Sequence, residues 1–143
     1  MSYSYEFLPA VALADTAFLV RANSWGSLFT GSTAALTAVM INPDDLLNTQ
    51  KKAIEITAHS VEELLFDWLA ELVYLKDAEA FLCKSSNVEV SSGAIWHAKG
   101  GLTGDTIAPV RQRLGQDVKA VTYHLFRVWQ EGDEHMAQVV LDI

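Results

Sequence analysis

The chain has 143 residues, half of them hydrophobic, which suits one globular domain covering residues 1–143 rather than a disordered chain. Its formal net charge of −8 speaks against direct nucleic-acid binding, because nucleic acids attract surfaces rich in Lys and Arg. No apolar run approaches the roughly 20 residues of a membrane span, no signal peptide is apparent and Cys83 is the single cysteine, so we expect a cytoplasmic protein with no membrane contact.

The first part of the chain predicts two strands and a helix. Residues 3–8 and 17–21 have the composition of strands. After them, apolar residues at three- and four-residue steps indicate a helix. Ser24 is a suitable N-cap for it, and Asn42-Pro43 should end it, since proline cannot continue a helix.

The second helix has the clearest local signal. Ser60 and Glu63 have the spacing of a capping box, in which the serine accepts from the glutamate amide and the glutamate reaches back. A wide apolar stripe then continues to Leu75. Between the two helices, the alternation of residues 53–57 predicts a strand.

The rest of the chain predicts strands and one loop. Strands are expected at residues 79–84 and at 88–99, the latter around a turn at Ser91-Ser92-Gly93, and the glycine-containing stretch 100–115 resembles a mobile surface loop. Residues 119–130 and 135–143 then form a long C-terminal β-hairpin. Early helices and late strands indicate an α+β domain, with a mixed or antiparallel sheet and two helices packed on one face.

The usual signatures of an enzyme are missing from the sequence. The glycines that follow Gly100 lack a Walker lysine, no Gly-x-Ser-x-Gly elbow is present, and the four histidines lack zinc-ligand spacing. We therefore predict no catalytic residues. A small hydrolase that uses two acids, Asp15 and Asp142, has the least support, because no serine or cysteine nucleophile and no histidine stands beside either of them in the sequence.

Two aspartates in apolar surroundings are the candidate ligands. Asp15 follows an apolar stretch, and Asp142 stands beside Ile143 in the last strand. A carboxylate is costly to bury unless it is paired, hydrogen-bonded or bound to a cation. Taken alone, each aspartate is better explained as an acid on the solvent face of its strand, which the alternation permits. If the strands bring Asp15 beside Asp142 and the carboxylate of Ile143, the three groups suit a hard cation, Ca²⁺ or Mg²⁺.

Three segments together resemble the archease family. The first contains Tyr5-Glu6-Phe7-Leu8 and leads to Asp15, and the second contains Asp67-Trp68-Leu69. The third runs from Lys119 through Tyr123 to His124 and is followed by the terminal Asp142-Ile143. The similarity covers nearly the whole chain.

This resemblance implies a function and a site. Archeases assist RNA ligases of the RtcB type in tRNA splicing and RNA repair, promoting guanylylation of the ligase histidine and its repeated turnover. The implied cofactor is a divalent metal ion, Ca²⁺ or else Mg²⁺, held by Asp15, Asp142 and Ile143, the last through a backbone oxygen or its carboxylate. His124 and Lys119 are either ordinary strand residues or contacts to the metal site or the ligase.

One departure from the family pattern supports an alternative. With Asp15 aligned, an Asp-His pair of the family is replaced by Val11 and Ala12. Two polar groups near the implied site are therefore absent. The second hypothesis is a chaperone-like or scaffolding module that keeps the fold without serving a ligase.

Overall fold

The computed structural model describes residues 2–9 and 15–143, which form two α-helices, a short 3-10 helix at Pro43–Asp45 and seven strands. The helices are α1 (Trp25–Met40) and α2 (Val61–Glu79). The strands are β1 (Tyr3–Leu8), β2 (Asp15–Ala22), β3 (Gln50–Ala58), β4 (Phe81–Ser91), β5 (Trp96–Thr106), β6 (Ala120–Glu131) and β7 (Glu134–Asp142).

All the strand pairs are antiparallel, and the strands divide into two sheets. One sheet has the order β1-β2-β7-β6 and the other has the order β3-β5-β4. The α+β class, the antiparallel pairing and the long C-terminal hairpin of β6 and β7 are confirmed. Where the sequence suggested one sheet, the structure has two. Each helix contacts strands of both sheets, so the core lies where helices and sheets meet.

Both helices begin where their capping residues predict. Ser24 Oγ accepts a hydrogen bond from Ser27 N at 3.1 Å, and Ser60 Oγ accepts one from Glu63 N at 3.2 Å. Each bond satisfies an amide that has no partner within the first turn of the helix. The helices are joined where Trp68 Nε1 donates to Thr33 Oγ1 at 2.9 Å. Within the described ranges, neither helix is long and apolar enough to cross a membrane.

The second sheet corrects two predictions. The predicted break between residues 84 and 88 is absent, because residues 85–87 pair regularly with β5 within the continuous strand β4, whose bulge lies between Cys83 and Ser85. The predicted mobile loop at 100–115 is a strand as far as Thr106. The glycines serve close packing rather than mobility. A Cβ atom at Gly104 would lie 2.0 Å from the backbone oxygen of Leu82, and one at Gly100 would lie 2.9 Å from the Trp68 ring.

Candidate functional site

Asp15 and Asp142 lie directly opposite each other at one end of the first sheet. Asp15 is the first residue of β2 and Asp142 is the last residue of β7, and the two are partners in the antiparallel register. Opposite residues in such a pair have Cβ atoms about 4.5–5.5 Å apart. Two carboxylates that are far apart in the sequence therefore lie side by side at one end of the sheet, and Ile143 follows Asp142 directly.

The strand β6 adds a third segment to this end of the sheet. Ala120 is the register partner of Asp142 on the other side of β7, and Lys119 N donates to the backbone oxygen of Asp142 at 2.8 Å. The Lys119 side chain is exposed. The structure thus brings Asp15, Asp142, Ile143 and Lys119 together.

The environment of the two aspartates suits a cation. Both are half-buried, and neither carboxylate has a hydrogen bond or an ion pair within residues 2–9 and 15–143. Like charges that face each other across a strand pair repel, and a bound divalent cation with oxygen ligands offsets that repulsion. Over the same residues, no three His, Cys, Asp or Glu side chains form a group that could hold a metal. A metal at this end therefore needs further oxygen ligands, such as the backbone oxygen of Ile143 or water.

His124 lies elsewhere on β6. It is exposed and follows Thr122, where the register between β6 and β7 shifts. It is four positions beyond Ala120 along the chain, which corresponds to about 13 Å along a strand. The structure does not bring His124 to the aspartate pair. Val11 and Ala12, which replace the Asp-His pair, lie outside the described residues.

A buried lysine, which sequence reasoning missed, fixes the segment that leads into Lys119. Lys76 is buried in α2, and its Nζ donates to Asp117, to Asp77 at 2.8 Å and to the backbone oxygen of Val118 at 2.8 Å. Burial lowers the pKa of Lys76, but the carboxylates of Asp117 and Asp77 outweigh it and leave the pKa above its ordinary value. Lys76 therefore stays charged and holds the segment just before β6.

A second missed group is Asp105, which is buried at the end of β5 with its side chain fully hydrogen-bonded. It accepts from Leu47 N at 2.9 Å, and from Thr49 Oγ1 and Arg111 Nη2 at 2.8 Å each. Burial raises the pKa of Asp105, but these donors more than compensate and hold the pKa well below its usual range. Leu47 and Thr49 lie more than 50 residues before Asp105 in the sequence, so no local pattern could have indicated this network.

An ion pair between Asp45 and Arg113 fixes the segment that connects β5 to β6. Arg113 donates from Nε and Nη2 to the Asp45 carboxylate at 3.0 and 2.9 Å, and its backbone amide donates as well. These hydrogen bonds from Arg113 lower the pKa of Asp45 to about 2. The stretch between β5 and β6, which the sequence suggested was mobile, is thus anchored at Asp105, Asp45 and Lys76.

Comparison with known proteins decides the family. Residues 5–143 match the family described as "Archease protein family (MTH1598/TM1083)". The chain belongs to the archease family. Two similar curated archeases come from Archaeoglobus fulgidus, 32% identical over 139 residues, and Methanothermobacter thermautotrophicus, 28% identical over 140 residues. Each alignment covers 97% of this chain and 98% of the relative.

Two solved archease-like structures have the same fold. The solution structure of Methanobacterium thermoautotrophicum protein 1598 superposes with a TM-score of 0.80 at 27% identity, covering 97% of this chain and 98% of that one. A crystal structure of "an archease, possible chaperone" from Thermotoga maritima gives a TM-score of 0.64 at 22% identity, covering 95% and 96% of the two chains. The second likeness is evidence for the fold alone.

Proposed function

We propose that this archease binds a divalent cation, Ca²⁺ or Mg²⁺, through Asp15, Asp142 and a backbone oxygen of Ile143, and that it assists an RNA ligase of the RtcB type. The observation that carries the proposal is the register pairing of Asp15 with Asp142. This pairing places two carboxylates, which are hard oxygen ligands, at one end of the sheet. Among the described residues, neither carboxylate forms an ion pair with a Lys, Arg or His side chain. Family membership supports the role of an accessory protein rather than an enzyme.

The residues at this strand end would act by holding charge at a fixed place. Asp15 and Asp142 supply the anionic oxygens, and the pairing of β2 with β7 fixes their spacing. The exposed Lys119, held next to Asp142 by a backbone hydrogen bond, adds an ammonium group that can contact a phosphate. A divalent ion at this end would supply positive charge for nucleotide phosphates in the ligase pocket, as cations do in phosphoryl transfer.

The test is ligase guanylylation measured with labelled GTP, with and without this protein. Asp15→Asn and Asp142→Asn each keep the shape of the side chain and remove one anionic ligand, so we expect both variants to lose stimulation. Asp133→Asn is the matched control, because Asp133 is an exposed aspartate in the turn at the far end of the β6–β7 hairpin. Full stimulation by both site variants, with their thermal stability unchanged, would falsify the proposal.

A chaperone-like role is the second candidate. One observation favours it: Val11 and Ala12 replace the Asp-His pair that the resemblance leads one to expect. The discriminating measurement is the aggregation of heated citrate synthase in the presence of this protein. Suppression of aggregation without any stimulation of ligase guanylylation would support the chaperone-like role, and the reverse result would reject it.

A further inference from the structure

A cluster of aromatic side chains lies on the surface where α2 meets β6, away from the aspartate pair. The rings of Phe66 and Tyr123 stack face to face, with centroids 3.8 Å apart and an interplanar angle of 4°. Phe126 meets Phe66 edge-on at 5.5 Å. Tyr123 is nevertheless 69% exposed and Leu125 is 50% exposed. Together these four residues form what we call the aromatic patch.

The backbone of β6 is distorted to present this patch. The register between β6 and β7 shifts between Thr122 and Arg127, so the intervening residues form a bulge on an outer strand of the sheet. Leu125 has a φ of 54°, a left-handed conformation that is unfavourable for a leucine. Gln138 Nε2 donates to the Leu125 backbone oxygen at 2.9 Å and helps to hold the bulge. Strain of this kind persists where surrounding contacts impose it, and it is common at binding sites.

Acidic side chains lie close to Phe66 along α2. From residue 61 to residue 75, α2 contains four acids and no Lys or Arg. Glu62 and Glu63 precede Phe66 by one helical turn, and Asp67 follows it directly. Burial, and then repulsion from Glu63, raise the pKa of Asp67, as expected for an acid without a neighbouring cation.

The Arg or Lys nearest in sequence to the patch is already engaged. Arg127 lies 4.1 Å above the ring of Trp129, two residues further along β6 and thus on the same face of the strand. Phe126 packs instead against Phe66 of α2, which lies on the opposite face. Arg127 therefore does not supply a cation to Tyr123, whose outer ring surface remains open.

We propose that the aromatic patch and the acids beside it are a docking surface for a protein segment that presents an arginine or lysine next to apolar side chains. The cation would stack on the open face of Tyr123 and approach Asp67, while the apolar neighbours cover Leu125 and Phe126. A cation over an aromatic ring and a nearby carboxylate reinforce each other, and tyrosine–arginine contacts are frequent in protein interfaces. The acids on α2 oppose a nucleic acid as the occupant.

The proposal is tested by selecting random displayed peptides on the intact protein and measuring the binding of the enriched peptides by calorimetry. We expect enriched peptides to contain Arg or Lys beside apolar residues. Tyr123→Ala and Asp67→Asn should each weaken their binding about tenfold. The matched controls are Tyr5→Ala and Asp133→Asn, because Tyr5 is an exposed tyrosine in an aromatic pair on the opposite outer strand and Asp133 is an exposed turn aspartate. Both controls should bind as the wild type does.

Three results would overturn the proposal: no enrichment, enriched peptides without a cation, or equal binding by all four variants. Binding of oligouridylate RNA that depends on Tyr123 would also overturn it, in favour of a nucleic-acid surface. Circular dichroism of Tyr123→Ala checks that a loss of binding does not reflect unfolding. None of these outcomes depends on metal binding or on a ligase.

Discussion

Replacement of Asp105 by alanine should destabilise the protein strongly. The buried carboxylate accepts hydrogen bonds from Leu47, Thr49, Thr106 and Arg111, and the substitution leaves these donors without their acceptor. Removing one partner from a buried charged network typically costs about 3–5 kcal/mol, against a total domain stability of about 5–15 kcal/mol. For a domain of this size, the melting temperature should fall by about 6–20 °C. Asp133→Ala is the control for loss of an exposed aspartate.

The same carboxylate should make stability depend on pH. Because folding holds the pKa of Asp105 below its usual value, its contribution is present above the unfolded pKa of about 3.9 and is lost as the pH falls through the lower folded pKa. Urea denaturation of the wild type and of Asp105→Asn between about pH 7 and pH 2 measures this. The wild type should lose stability below about pH 4 more steeply than the variant. Parallel curves, or an Asp105→Ala variant within about 0.5 kcal/mol of the wild type, would refute the role given to this network.

Two further predictions concern the second sheet. Burial raises the pKa of the Cys83 thiol to about 12, so the native protein should not react with iodoacetamide at about pH 8, whereas the urea-unfolded protein should react fully; rapid native labelling would contradict this. Gly104→Ala would place a Cβ atom 2.0 Å from the backbone oxygen of Leu82, so this variant should separate β4 from β5 and have a lower melting temperature. The control is Gly101→Ala, whose added Cβ atom has nothing within 4 Å and should change the melting temperature little. Equal melting temperatures for the two glycine variants would show that this packing is looser than described.

Local signals in the sequence predicted the elements well. Ser24 and Ser60 mark their helices because a cap acts within one turn of the chain. The glycines of β5 led to the wrong prediction of a loop, because their pattern in the sequence resembles one. Their role depends on contacts with residues far away in the sequence, of Gly100 with Trp68 and of Gly104 with Leu82.

The candidate site depended on contacts between distant parts of the chain. Asp15 and Asp142 each look like an ordinary strand acid, and their pairing depends on the register of β2 with β7. Their apolar surroundings singled out the two aspartates, and the resemblance to a family then favoured a metal site over ordinary strand acids, which spacing alone could not do. The bulge around Leu125 was not foreseen, because a positive φ at leucine has no sequence signature.

Calorimetric titration with calcium chloride, repeated with magnesium chloride, tests the metal-site proposal most directly. We predict saturable binding of one of the two ions to a single site in the wild type, loss of that binding in Asp15→Asn and Asp142→Asn, and its retention in Asp133→Asn. If neither ion binds to the wild type, or if the two site variants bind as tightly as the control, the strand end formed by β2 and β7 is not a metal site.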